Sequence, residues 1–186
     1  MFFGCSSLTV LDLSTFNTKN LTTTRGMFQR CSSLVNLNVS SFNTINVLEM
    51  SYMFLGCKSL KGLNVSDFNT SNVVSMNGMF RDCSSLTNLD LSNFVTNKVE
   101  DMEQMFSGCS SLSNLNINSF VTDKVEDMGY MFLDCMSLTS LDMSSFNTSN
   151  VKDMLYMFNG CFSLVTIYSG DEWSTKNVNP TLPPIL

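Results

Sequence analysis

Met53-Phe54-Leu55-Gly56-Cys57-Lys58-Ser59-Leu60-Lys61-Gly62-Leu63-Asn64-Val65-Ser66-Asp67-Phe68-Asn69-Thr70-Ser71-Asn72-Val73-Val74-Ser75-Met76-Asn77-Gly78 is a 26-residue stretch that recurs in register along the chain. The unit before it starts Met27-Phe28-Gln29-Arg30-Cys31, and the unit after it starts Met79-Phe80-Arg81-Asp82-Cys83. All seven cysteines fall in one column, from Cys5 to Cys161. Thirteen of the fifteen phenylalanines fill two columns, those of Phe54 and Phe68. The Leu60 column is leucine in every copy. The 186 residues hold seven such units with four residues to spare. A fixed period of this length is the mark of a solenoid, in which each coil buries its apolar edge against its neighbours.

Within the unit the apolar spacing changes. Leu60-x-x-Leu63-x-Val65 ends in the two-residue alternation of a short strand. Val73, Met76, Met79, Phe80 and Cys83 follow steps of three and four, which predict a helix over about 73–83. Asn72 is placed to cap that helix, and Asp123-Lys124-Val125-Glu126 offers a capping box in a later copy. The expectation is an α/β repeat solenoid of about seven units. It is a right-handed coil with a parallel sheet on the concave side and short helices on the convex side, because helices are wider than the strand spacing of about 4.8 Å. Residues 1–168 form the solenoid, with incomplete first and last units. Residues 169–186 are expected to form a degenerate cap and tail, where Trp173 either covers the open end or contacts a ligand and Pro180, Pro183 and Pro184 forbid a helix. The chain opens in mid-repeat at Met1-Phe2-Phe3-Gly4-Cys5, so it reads as part of a longer protein with further repeats or domains.

Composition narrows the chemistry. The chain has no histidine, so acid–base work or metal binding through imidazole is out. The net charge of −6 argues against nucleic acid as partner. No apolar run approaches the length that spans a bilayer. The charge is uneven: residues 1–78 carry a net +2 and residues 79–186 a net −8. A cysteine ladder makes a line rather than a point, so it reads as buried free thiols rather than a metal site. Disulfides between neighbouring coils would leave one of the seven unpaired, and no base stands ready to activate a thiol nucleophile. No catalytic residue, cofactor or metal is expected.

The outward strand columns are the candidate binding surface. One row reads Asp12, Asn38, Asn64, Asp90, Asn116, Asp142, and the next reads Ser14, Ser40, Ser66, Ser92, Asn118, Ser144. The row before them reads Val10, Asn36, Gly62, Asn88, Asn114, Ser140. Such a face either binds a partner or is a solvated surface whose side chains bond along their own ladders; it lacks the aromatic and arginine anchors of strong interfaces. The Thr18, Thr44, Thr70, Thr96, Thr122, Thr148 column is expected to bond the next coil. Glu100/Asp101 and Glu126/Asp127 are expected at helix N-termini.

Leu8-Thr9-Val10-Leu11-Asp12-Leu13 resembles the start of a leucine-rich repeat. The longer pattern Met-Phe-x-x-Cys-Ser-Ser-Leu-x-x-Leu-Asp-Leu-Ser-x-Phe-Asn-Thr resembles the 26-residue repeat of BspA-like bacterial surface proteins over residues 1–168. Phe16 and Phe42 stand where leucine-rich repeats usually carry asparagine. The resemblance implies an extracellular or cell-surface location, a non-enzymatic role in adhesion, and a host protein or glycan as partner. A surface spacer with no ligand of its own is the alternative.

Overall fold

The structure, a computed structural model, describes residues 1–178. Six short strands follow the expected columns: β1 Val10–Asp12, β2 Asn36–Asn38, β3 Asn88–Asp90, β4 Asn114–Asn116, β5 Ser140–Met143 and β6 Thr166–Ser169. They pair in parallel as β1 with β2, β3 with β4 and β5 with β6. Leu11 faces Leu37, Leu89 faces Leu115 and Leu141 faces Ile167, each pair one 26-residue period apart. The repeat solenoid is therefore present, with equivalent residues side by side. The sheet is not continuous, however. In the third unit Gly62-Leu63-Asn64 forms no strand, consistent with the weakening effect of glycine inside a strand.

The expected helices are absent among the described residues. The stretch from Met76 to Cys83 is instead a chain of β-turns. Met79 N–H donates to Met76 C=O and Cys83 N–H to Phe80 C=O, while Met76, Gly78, Phe80 and Asp82 N–H donate to Asp101, Glu103, Met105 and Ser107 in the next coil. The third residue of each turn lies in the left-handed region, Gly78 at φ 55° and Asp82 at φ 58°. That geometry forbids an α-helix, whose residues all need negative φ, and it is the signature of type II turns. Two successive four-residue turns bury their first and last members, Met76, Met79, Phe80 and Cys83. The spacing three, one, three is the same as one face of a helix, which is why the periodicity misleads. Asn72 caps no helix; its Nδ2 donates to Ile45 C=O of the previous coil at 2.9 Å. Asp123-Lys124-Val125-Glu126 likewise opens no helix; Val125 N–H closes a turn onto Thr122 C=O.

Sideways bonding on this turn side runs through the stack. Isolated parallel bridges link Thr23, Glu49, Ser75, Asp101, Asp127 and Asp153 in sequence. Phe2, Phe28, Phe54, Phe80, Phe106, Phe132 and Phe158 stack with centroids 5.5–5.8 Å apart. In the second phenylalanine row the spacing is 6.3 Å, for Phe42–Phe68 and Phe120–Phe146. The reason for expecting the strand side to be concave was the width of helices, and it lapses without them.

Two polar columns complete the core. Thr44, Thr70, Thr96, Thr122 and Thr148 are buried. Each hydroxyl bonds the next coil twice: Thr96 Oγ1 donates to Val121 C=O at 2.8 Å and accepts from Val121 N–H at 2.7 Å. The ladder reaches the last coil, where Thr148 bonds Ser174. Cysteine thiols donate to the phenylalanine carbonyl of the preceding coil, as Cys83 Sγ does to Phe54 C=O at 3.2 Å. Trp173 and Val178 pack against the end of the core. The tail expected over 169–186 lies outside the described residues from 179 onward.

Candidate functional site

The strand face is built by alternation. Leu89 and Leu91 point inward and are buried, while Asn88, Asp90 and Ser92 between and beside them are exposed. The same holds for Asp12, Asn38, Asn64 and Asp142 and for Ser14, Ser40, Ser66, Asn118 and Ser144; Asn116 is half-buried. The twelve candidate residues thus share one face.

Their acceptors are largely engaged in turning the chain. Oδ1 of Asp12, Asn38, Asn64, Asp90 and Asp142 accepts the N–H two residues on, at 2.9–3.1 Å. Asn116 makes a longer version to Asn118 at 3.4 Å. These Asx turns bend the chain off the end of each strand. The bonds hold the Asp12 and Asp90 carboxylates below their usual range, led by the Ser14 and Ser92 amides. For Asp142 the Ser144 hydroxyl leads. The neighbouring Asn38 and Asn116 side chains favour the Asp12 and Asp90 carboxylates to a smaller degree. The face therefore carries ionised carboxylates beside amides and hydroxyls.

A hollow of about 330 Å³ opens in this face. Asn88, Asp90, Ser113, Asn114 and Asn116 line it together with Ser140, across the place where β4 and β5 do not pair. Asn114 Nδ2 donates to Asn88 Oδ1 at 2.6 Å and fixes one wall. Asp90 Oδ1 and Asn116 Oδ1 in the lining accept the Ser92 and Asn118 amides.

Other chemistry is held in check by burial. All seven thiols are free; five are buried, Cys161 is half-buried and Cys5 is exposed. Burial pushes Cys57 and Cys109 up to about 12 and Cys161 to about 11, far from the thiolate form. Among the described residues no group of three or more acidic, cysteine or histidine side chains is arranged to hold a metal. Asp101 and Asp127, expected at helix N-termini, sit in the bridge column and accept the Glu103 and Gly129 amides. Burial, with Glu103, Asp153 and Asp101 nearby, raises Asp127 to about 6 against the pull of the Gly129 amide. Glu126 pairs with Lys152 of the next coil at 2.6 Å on the surface.

Comparison with known proteins fits this architecture. The family described as Mycoplasma protein of unknown function, DUF285, matches residues 1–115 and 87–181. The chain belongs to the DUF285 family. Among curated proteins none matches it. A leucine-rich cell surface protein of Faecalibacterium prausnitzii is similar in structure, with a TM-score of 0.52 and 21% identity over 77% of this chain and 35% of that one. A leucine-rich-repeat protein of Bacteroides ovatus is 22% identical over 96% of this chain and 46% of that one, with a TM-score of 0.44. This DUF285 chain spans about a third of the first and under half of the second. It shares with the first the leucine-rich-repeat fold of bacterial surface proteins. No helix in the described residues is long and apolar enough to cross a membrane.

Proposed function

We propose that this chain is a non-catalytic recognition module of a bacterial surface protein, located outside the cell, which binds a host glycan or protein through its strand face. The observation that carries the reading is the 330 Å³ hollow at the β4–β5 break, whose lining includes two of the twelve candidate residues, Asp90 and Asn116. A ligand rich in hydroxyls suits it: carboxylates accept hydroxyl protons, and amides serve both ways. Repetition of the same groups along the stack adds weak contacts into useful avidity. The buried thiols and the lack of histidine support a role without catalysis.

Replacing Asn64, Asp90 and Asn116 with lysine should abolish binding on glycan and matrix-protein arrays while leaving the circular dichroism spectrum intact. Retained binding in that triple variant would remove the strand face from consideration. The Asx turns favour a second reading, a surface spacer, because they give the Asp/Asn row a structural reason to exist. A spacer predicts no binding on either array by the unaltered chain.

A further inference from the structure

On the turn side, away from every strand, a larger hollow of about 570 Å³ is lined by Gln29, Arg30, Ser32, Lys58, Arg81 and Asp82, among others. Three cations converge there from three successive units. Each is the single cation of its column. Where Arg30 stands, the other coils have Gly4, Gly56, Asp82, Gly108, Asp134 and Gly160; where Lys58 stands, four of the other six have serine; where Arg81 stands, the others are Phe3, Gln29, Leu55, Ser107, Leu133 and Asn159. Packing therefore asks for no positive charge at these positions.

The backbone adds a second observation. Arg30 sits at φ 61°, a left-handed conformation that the other coils fill with glycine or aspartate. An arginine there carries strain that glycine would relieve. Gly56 packs beside it; a Cβ at Gly56 would lie 3.6 Å from Arg30 Cα and Cγ. Arg81 is held by Asp82 at 3.7 Å and by Gln104 Oε1. Among the described residues neither the Arg30 guanidinium nor the Lys58 ammonium has an acidic partner within salt-bridge distance.

We infer that this hollow binds the anionic group of an acidic saccharide, a sulfate or carboxylate carried on a sugar. Arg30 and Lys58 supply unpaired positive charge, and a guanidinium offers two parallel donors to either anion. Gln29, Ser32 and the Asp82 carboxylate can bond sugar hydroxyls, and the adjacent Leu55 offers an apolar wall. Asp82 also disfavours a bare, multiply charged anion. The volume is in the range of small-molecule sites. None of the strand-face residues lines it, so this inference stands or falls apart from the proposed strand-face function.

Calorimetric titration with a heparin-derived tetrasaccharide and with sialyllactose tests the two anion sources, with lactose and inorganic sulfate as comparators. Binding of at least one acidic sugar, weakened by added salt and not matched by lactose or sulfate, is expected. The variant R30G/K58S/R81S restores residues that other coils carry in those columns. It should weaken that binding roughly tenfold or more without lowering the thermal midpoint. Should it fold poorly, K58S alone, which removes no side-chain bond, should still weaken binding severalfold. No binding to either acidic sugar, equal binding of lactose or sulfate, or unchanged affinity in both variants would overturn the assignment.

Discussion

The turn side and the strand side of this solenoid have the same period and opposite continuity. On the turn side, bridges run from Thr23 to Asp153, and the phenylalanine stack runs from Phe2 to Phe158. On the strand side the regular ladder is interrupted between the strand pairs, and fewer bonds, such as Asn93 Nδ2 to Ser66 C=O at 3.0 Å, cross the gaps. The coils are thus locked along one edge and looser along the other. A hollow opens where the strand ladder breaks, and its lining is polar. The contrast teaches that one period can carry an unbroken ladder on one edge and an interrupted one on the other.

The largest effect should come from breaking the locked edge. Phe80→Ala removes a ring stacked between Phe54 and Phe106 and should cost about 3–5 kcal/mol in urea unfolding. Leu63→Ala, at the half-buried position beside Gly62 where the strand is missing, should cost clearly less; equal losses would end the comparison. Next comes Thr96→Val, which keeps the shape but leaves the Val121 N–H and C=O unpaired in the interior. A loss of about 2 kcal/mol or more is expected, read from the same unfolding curves. The smallest effect is on pH. Asp127 has a folded value of about 6, above the unfolded one, so the folded state binds the extra proton. Its contribution is then greatest below about pH 4 and is lost as pH rises through about 6. Asp127→Asn keeps the acceptor for Gly129 N–H, so it should raise the thermal midpoint at neutral pH and flatten that slope. A midpoint that fell at neutral pH would show the carboxylate to be stabilising.

Much of this was readable from the chain. Met53, Phe54, Cys57, Leu60 and Phe68 are core positions in the structure as their columns suggested, and the threonine column bonds the next coil as expected. The helix over 73–83 was misread because two type II turns place apolar residues at the same intervals. A signal was present: six of the nine glycines lie in the two left-handed columns, at Gly4, Gly26, Gly56, Gly78, Gly108 and Gly160. Four glycines recurring every second unit at one position argue against a helix interior. The Asx turns behind Asp12 and its row could be suspected from Asp/Asn-x-Ser in five of the six copies, since that side chain favours such bonds. The basic hollow is not legible in any single column, because Arg30, Lys58 and Arg81 occupy different ones. Reading each column for its exceptions, rather than for its consensus, would have picked them out.

The sequence by itself determined the period, the register and the identity of every stacked row, because identical coils satisfy their apolar edges only when equivalent residues meet. Tertiary structure decided the backbone between those rows. The amides of Gly78 and Phe80 find their acceptors 25 residues ahead in the next coil rather than four residues back in their own. Such a partner exists only once the coils are stacked, so local periodicity could not choose between turn and helix. The same distance in sequence hid the convergence of three cations, each from a different coil, on one hollow.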